Sequence, residues 1–372
     1  MNIVFLLYHP SAFTNWINKL LPFLDNANIV VLHISKLHGV QPKAKDGYKA
    51  IDISYYSYRK LEKTLRGINP DLFVFLSFRS LLEYTINRLC VNLNIRKVYL
   101  EHGLFSADTL KFRKNKLKKE ILQTTKRQFA YWFLLSGLVI HSKHSLLELK
   151  LAHMAYIKSN FRGCSYDHYY LFSKRSYDCC KTIFDLNEHN TTYIGFPIFN
   201  SDAEKQCVGV SEHCTGVLYV HQPLISDRIA AISFDEEKAY LQTIAQNVKE
   251  KYGDFTVLLH PRANLREYEE RFRNTGIEIV QSPNDYRCFV NKSLIIGHYS
   301  TALLYGLYFN KPTIVVDYPT VEISNMFKEF FVYCEDVKSL AMLSVSADVK
   351  RKNYIVGEHN TFEYIAKTLL SE

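Results

Sequence analysis

Short apolar segments alternate with amphipathic helical segments along the first half of the chain. The apolar segments are rich in branched and aromatic residues and end at turn residues, so we predict that they form strands. Predicted strands lie at 2–8, 28–34, 71–77, 96–103, 137–142, 168–174 and 191–197, with helices at 14–24, 58–66 and 81–93. Such strands are typical of a parallel sheet covered on both faces. The pattern predicts a doubly wound α/β domain over residues 1–200.

A polar, turn-rich stretch at 201–215 interrupts this rhythm, and we predict that it is an interdomain linker. A second α/β series follows, which predicts a domain over residues 216–372. Its strands are predicted at 216–223, 255–262, 277–282, 293–297 and 312–319, with helices at 235–251, 265–274, from about 301, and at 361–370. Two doubly wound domains in tandem are expected to face a cleft at the carboxyl ends of their strands, where such folds bind ligands.

The composition is that of a folded globular protein. The chain has 372 residues, of which 47% are hydrophobic and 22% charged, and this length suits two domains better than one core. Its eight cysteines have no CxxC spacing, which argues against a structural zinc site. The first residues lack the basic region of a signal peptide. We therefore expect a cytoplasmic protein with reduced thiols, no metal and no bound cofactor.

The net charge of +9 is concentrated in one stretch, since residues 111–127 include eight lysines and arginines. An apolar run of about a dozen residues follows, too short to span a bilayer. The whole segment, 110–140, has the composition of a surface that docks on anionic lipid at the inner face of the membrane. A solvated helix followed by a buried one explains it equally well. Nucleic-acid binding would place basic and exposed aromatic residues across a whole domain, so we do not expect that partner.

Polar residues end three of the predicted strands. The first group is Glu101-His102-Gly103, where a carboxylate stands beside an imidazole. Either side chain could accept the proton of a substrate hydroxyl, because both residue types act as general bases. A capping glutamate and a structural histidine would give the same pattern.

The second group is His260-Pro261-Arg262, at the end of an apolar strand. The proline fixes a turn that presents a guanidinium fork and an imidazole, both of which suit a phosphate or a carboxylate. Gln222, which ends the first strand of the second domain, is a further candidate for donor binding.

The third group is His298, Ser300 and Thr301, where a strand is followed at once by a helix. Ser300 is a suitable N-cap, and the helix N-terminus together with two hydroxyls predicts an anion site. His298 either orients that anion or packs in the core.

These three groups, in this order, resemble the motifs of the GT-B-type bacterial sialyltransferases and polysialyltransferases. That group carries a short acidic-acidic-Gly motif, then HP, then Ser-Ser or Ser-Thr; the counterparts here are Glu101-His102-Gly103, His260-Pro261 and Ser300-Thr301. The resemblance covers the two-domain layout and about a dozen motif residues. It implies the GT-B fold, with two Rossmann-like domains facing a cleft.

The resemblance also implies roles. His260, Ser300 and Thr301 would contact the phosphate of a cytidine monophosphate leaving group, and Glu101 would be the base. His102 stands where that group has its second acidic residue, so the choice of base between Glu101 and His102 stays open. The teichoic-acid polyol-phosphate transferases and the capsule Kdo transferases are similar too, and they also use cytidine-linked donors.

The implied activity is transfer of a nonulosonic acid, such as sialic acid, from a CMP-activated donor to a hydroxyl of a surface glycan or glycolipid, in capsule or lipooligosaccharide synthesis. No D-x-D motif occurs, which favours a metal-independent reaction. A UDP-sugar enzyme usually has a glutamate in the helix after the phosphate turn, and the segment 301–312 has none. A CDP-polyol phosphotransferase or a CMP-Kdo transferase is the enzymatic alternative, and a membrane-docked binding protein is the non-enzymatic one.

Overall fold

The computed structural model describes residues 1–7, 16–38, 47–78, 80–103, 121–142, 144–157, 161, 164–196, 214–226, 229–281, 286–323, 325–346, 349–357 and 361–371. The chain forms two compact units, Met1–Pro197 with Gly357–Glu372, and Ile198–Val356. Each unit contains one parallel sheet with helices, so the predicted α/β class is confirmed.

The first unit is built on a seven-stranded sheet. Its strands are β1 (Asn2–Leu7), β2 (Asn28–His33), β3 (Lys49–Asp52), β4 (Leu72–Phe75), β5 (Lys97–Leu100), β6 (His168–Leu171) and β7 (Thr191–Tyr193). They are all parallel, in the order β3-β2-β1-β4-β5-β6-β7. The central strands β4 and β5 are buried along their whole length, which explains their continuous apolar sequences.

The helices of the first unit follow its strands along the chain. They are α1 (Asn18–Leu20), α2 (Tyr58–Ile68), α3 (Leu81–Asn92), α4 (Ile121–His141), α5 (Ser145–Ile157) and α6 (Lys174–Cys180). Short 3-10 turns lie at Leu21–Phe23, Ser35–His38 and Glu188–Asn190. Helix α3 starts with a capping box, in which Ser80 and Glu83 each satisfy an amide of the other residue.

The second unit contains a six-stranded parallel sheet. Its strands are β8 (Val217–Val220), β9 (Phe255–Leu258), β10 (Ile277–Val280), β11 (Leu294–Gly297), β12 (Thr313–Val316) and β13 (Val332–Cys334), in the order β10-β9-β8-β11-β12-β13. Its helices are α7 (Phe234–Tyr252), α8 (Leu265–Arg271), α9 (Arg287–Val290), α10 (Leu304–Tyr308), α11 (Asn325–Phe330) and α12 (Val349–Val356). Further 3-10 turns lie at Thr301–Leu303 and Val337–Met342.

The C-terminal helix α13 (Phe362–Leu370) belongs to the first unit, although residues 216–372 were predicted to form the second domain. It packs against α1 and Leu21–Phe23, and the Phe362 ring meets the Trp16 indole edge-on at 5.5 Å. Gly357, which precedes α13, has a left-handed φ of +76°, and a Cβ there would lie 2.3 Å from the carbonyl oxygen of Phe172.

The predicted linker, 201–215, lies outside the described residues except for 214 and 215.

The strand predicted at 137–142 is wrong, because residues 137–141 are the end of helix α4. The buried residues Tyr131, Leu134, Leu135 and Leu138 have the spacing of one helical face, and α4 contacts α2 and α3. Gly137 allows the close approach to α2, since a Cβ at this position would lie 2.3 Å from the Cβ of Tyr58. The short apolar sequence is strand-like by itself, and tertiary packing determines that it is helical.

This packing predicts opposite effects of two glycine substitutions in neighbouring helices. Gly137→Ala should lower the free energy of unfolding by about 1–3 kcal/mol, because the new methyl overlaps Tyr58. Gly67→Ala in α2 is the matched control, because its Cβ would meet no atom within 4 Å. That substitution should raise the free energy by up to about 1 kcal/mol through helix propensity. Urea unfolding measures the free energy of unfolding of both variants. Equal changes of the same sign would contradict the close contact of Gly137 with Tyr58.

Candidate functional site

The predicted donor residues follow three neighbouring strands of the second sheet. His260 comes two residues after β9, and His298 directly follows β11; between these strands lies β8, which is followed by His221. The strands end level with one another, since Val220 pairs with both Leu258 and Gly297. The chain order reverses between β8 and β11, and ligands of doubly wound sheets bind at the carboxyl edge beside such a reversal.

His260 is held in a defined tautomer by its own turn. Its Nδ1 accepts a hydrogen bond from the amide of Arg262 at 3.2 Å, so the neutral ring carries its proton on Nε2. Its carbonyl oxygen accepts from the amide of Ala263 at 2.8 Å and from Nε2 of Gln281 at 2.9 Å. Pro261 and Arg262 are exposed. The turn therefore presents an N–H donor on an imidazole whose ring orientation is fixed.

His298 has the opposite polarity. Its Nδ1 donates to the carbonyl oxygen of Val316 at 2.9 Å, and burial lowers the pKa of the ring below its ordinary value. The neutral ring then has no proton on Nε2. That nitrogen is buried and has no hydrogen-bond partner among the described residues. His298 thus offers an acceptor that suits a hydroxyl or an amino group, and not an unprotonated phosphate oxygen.

Ser300 caps the turn that follows β11, as predicted. Its Oγ accepts from the amide of Ala302 at 3.2 Å, and its carbonyl oxygen accepts from the amide of Leu303 at 3.0 Å. Two of the amides that were predicted to bind an anion therefore already have partners inside the turn. The hydroxyl proton of Ser300 is still able to donate, and Thr301 is exposed beside it. An anion at this turn would therefore be bound by hydroxyl groups more than by these two backbone amides.

A buried polar cluster behind the edge was not predicted. Its centre is Glu237 in the first turn of α7, which is 1% exposed and accepts hydrogen bonds from three side chains. Nε2 of His221 lies 3.3 Å from Oε1 of Glu237, and the hydroxyl of Tyr268 donates to Oε2 at 2.8 Å. The hydroxyl of Tyr318 donates to Oε1 at 2.5 Å. Burial acts to raise the pKa of Glu237, but these hydrogen bonds outweigh it, so the pKa lies below its ordinary value.

The cluster fixes the chemistry of His221. Because a carboxylate only accepts, Nε2 of the ring carries a proton, and Nδ1 is buried without a partner among the described residues. The neutral ring accepts at Nδ1. Gln222 follows His221 directly and is half-buried. Its backbone carbonyl oxygen accepts a hydrogen bond from the backbone amide of Leu224 at 2.8 Å.

A signal for Glu237 is present in the sequence. Glu237, Leu241, Ile244 and Val248 follow one another at helical spacing and are all buried, so the carboxylate lies on the apolar stripe of α7. A carboxylate on a core-facing stripe needs buried partners, and those come from segments far away in the sequence.

Glu101 and His102 differ sharply in exposure in the first unit. Glu101 follows β5 and is fully buried; its Oε2 accepts from the amide of Phe172 at 2.7 Å and its Oε1 from the hydroxyl of Ser176 at 3.0 Å. It therefore joins the end of β5 to the start of α6. His102 is exposed, and its carbonyl oxygen accepts from Nε1 of Trp16 at 3.1 Å. Of these two residues, only His102 is exposed to solvent.

The described parts of the chain contain no group of three His, Cys, Asp or Glu residues that could hold a metal ion.

No protein-family model and no curated protein matches this chain. The chain is similar along its whole length to solved structures of low sequence identity. The glycotransferase of kitacinnamycin is 11% identical, with a TM-score of 0.61 over 100% of this chain and 98% of that one. CalG4, the calicheamicin glycosyltransferase, is 12% identical, with a TM-score of 0.56 over 100% and 97%. The UDP-GlcNAc 2-epimerase from Methanocaldococcus jannaschii is 12% identical, with a TM-score of 0.54 over 100% of both chains.

These similarities confirm the predicted GT-B fold with two Rossmann-like domains. At 11–12% identity they show the fold alone. None of the three proteins is named as a sialyltransferase, so the finer resemblance to that group stays a prediction.

The Glu237 cluster predicts a pH-dependent stability. Glu237→Leu should lower the free energy of unfolding by about 3–5 kcal/mol at neutral pH, because three buried donors lose their acceptor. Since folding lowers the pKa of Glu237, its contribution is complete above the unfolded-state pKa and is lost as pH falls through the folded-state pKa. The difference between wild type and variant should therefore shrink on acidification.

Urea unfolding between neutral and acidic pH measures this difference. Glu250→Gln is the control, because Glu250 is an exposed carboxylate of the same helix and should change little. A difference between wild type and Glu237→Leu that stays constant with pH would show that the carboxylate is not ionised in the folded protein.

Proposed function

We propose that this protein is a glycosyltransferase that moves a nonulosonic acid, such as sialic acid, from a CMP-activated donor to a hydroxyl of a surface glycan or glycolipid. The observation that carries this proposal is the arrangement of polar groups after the neighbouring strands β9, β8 and β11, beside the reversal of strand order. The motif resemblance supplies the donor class, and the fold is one that glycosyltransferases use.

The donor phosphate is assigned to the proton donors of this edge. His260 offers Nε2–H, and Ser300 and Thr301 offer hydroxyl protons. Donors in fixed positions stabilise the charge that grows on a departing phosphate without reorganisation at the moment of reaction. Arg262 is exposed in the same turn and pairs with the phosphate or with the carboxylate of the sugar.

His298 suits a different part of the donor. Its buried Nε2 accepts, and a nucleotide supplies matching hydrogens from its ribose hydroxyls or from the amino group of cytosine. Uracil has a carbonyl oxygen where cytosine has its amino group, so an acceptor that contacts this position of the base would favour a cytidine nucleotide. Gln222, half-buried after β8, is proposed as a further donor contact.

The reaction is a displacement at the anomeric carbon. The bond from that carbon to the phosphate oxygen breaks, and its electron pair leaves with CMP. The acceptor oxygen forms the new bond, and its proton passes to a base. We assign the base to His102, because its ring is exposed while both oxygens of Glu101 are already bonded inside the first unit. Glu101 then acts as a positioning residue that holds the end of β5.

No D-x-D motif occurs in the sequence, and we propose that no metal is required. The acceptor is a hydroxyl on a capsule, lipooligosaccharide or glycolipid chain, and we place the reaction in the cytoplasm at the inner face of the membrane, where such acceptors are made.

Activity with different donors tests the proposal. Purified full-length protein should release CMP from CMP-sialic acid in the presence of a glycan acceptor, and CMP should raise its Tm more than UMP or UDP at equal concentration. Turnover with a UDP-sugar alone would indicate a UDP-sugar enzyme, and turnover with a CDP-polyol would indicate a phosphotransferase. The absence of turnover with all three donor classes, together with no nucleotide-dependent Tm shift, would favour a binding protein.

Substitutions at the edge test its assigned roles. His260→Ala and the double variant Ser300→Ala/Thr301→Ala should each lower kcat by about 10²–10³ with the fold unchanged. His260→Gln should retain more CMP affinity than His260→Ala, because its amide keeps an N–H donor. His189→Ala is the control, as an exposed histidine outside the edge. Full nucleotide affinity and turnover in both alanine variants would contradict the proposed site.

The base is tested separately. His102→Ala should lower kcat by about 10²–10⁴ while CMP affinity is retained. Glu101→Gln should lower stability through its buried hydrogen bonds and affect kcat less than His102→Ala. The reverse order of the two effects on kcat, measured on folded protein, would assign the base to Glu101.

A further inference from the structure

Large apolar side chains are exposed on two consecutive helices of the first unit. Among the described residues, fourteen large hydrophobic residues are exposed, and seven of these lie between positions 129 and 149. Four are on α4 and three on α5: Phe129, Trp132, Phe133, Ile140, Leu146, Leu147 and Leu149. Monomeric proteins rarely expose large apolar side chains in such a cluster. We call these seven residues the α4–α5 surface.

The exposed side of α4 is a regular helical face. Phe129, Trp132, Phe133 and Ile140 stand at positions i, i+3, i+4 and i+11, with the exposed Ser136 at i+7. The opposite side contributes Tyr131, Leu134, Leu135 and Leu138 to the core, and α4 contacts α2, α3 and α5. Helix α4 is therefore packed on the unit through its buried face, and its other, apolar face is exposed.

The charge of this region is almost entirely positive. Glu148 is the only carboxylate between 121 and 157, and it is turned inward, where it forms a bidentate pair with Arg88, whose Nη2 lies 2.8 Å from Oε1. Lys150 is exposed on α5. In the sequence, eight lysines and arginines at 111–127 precede Phe129, and those at 111–119 lie outside the described residues. An apolar surface in this setting fits an anionic partner with an apolar interior.

No described helix is long and apolar enough to cross a membrane. A second copy of the chain is a poor partner, because a symmetric contact through this surface would bring cation against cation. We propose that the α4–α5 surface docks on an anionic lipid bilayer, with its aromatic and aliphatic side chains inserted at the headgroup level. This inference concerns the first unit and does not depend on the identity of the donor.

Vesicle binding with intrinsic fluorescence tests the proposal. The chain has two tryptophans; Trp16 is 3% exposed and Trp132 is 49% exposed. Adding vesicles of phosphatidylcholine and phosphatidylglycerol should shift the emission to the blue, and this shift should vanish in Trp132→Phe. Pure phosphatidylcholine should give a much weaker effect, and raising the salt concentration should release the protein.

Matched variants distinguish binding through the α4–α5 surface from non-specific adsorption to vesicles. Phe129→Ser/Phe133→Ser/Leu146→Ser should weaken co-sedimentation with anionic vesicles by at least about tenfold, with Tm unchanged because these side chains are exposed. Met342→Ser/Tyr354→Ser removes two exposed apolar residues of the second unit and should leave binding intact. Equal binding by both variants would overturn the proposal. A wild-type dimer in solution that the triple variant dissociates would overturn it in favour of self-association.

Discussion

The pairing of β8 with β9 on one side and β11 on the other is the constraint on which the candidate donor site depends. These three strands are parallel and end level with one another, so residues that are far apart in the sequence must share one edge of the sheet. His221, His260 and His298 follow those strands. Because the strand order reverses between β8 and β11, no crossover helix has to cover this part of the edge.

The same edge combines groups of opposite hydrogen-bonding polarity. His260 is fixed as a donor by the amide of Arg262, whereas His298 is fixed as an acceptor by the carbonyl of Val316. In each case one hydrogen bond between Nδ1 and the backbone determines whether Nε2 carries a proton. A nucleotide needs both kinds of partner, since its phosphate only accepts and its ribose and cytosine also donate. This complementarity supports nucleotide binding independently of the motif resemblance.

Much of this organisation could be predicted from the sequence, because buried parallel strands are continuous apolar runs that end at recognisable turns. The alternation of strands with helices predicted both sheets, and Ser300 was predicted as an N-cap. Strand β3 was missed because its residues, Lys49–Asp52, lie at the sheet edge and are only partly buried. Residues 137–142 were predicted as a strand because the contact of Gly137 with Tyr58 cannot be recognised locally. The cluster around Glu237 was missed for a related reason, since its partners His221, Tyr268 and Tyr318 meet only through the tertiary fold.

The central claim is that the edge formed after β9, β8 and β11 binds the phosphate of a cytidine nucleotide. A crystal structure of the protein with CMP bound tests it most directly. We expect a phosphate oxygen within hydrogen-bond distance of Nε2 of His260 and of the hydroxyls of Ser300 and Thr301, with a nucleotide hydroxyl or amino group at Nε2 of His298. A phosphate held by other residues, with these groups still turned to solvent or to the core, would contradict it.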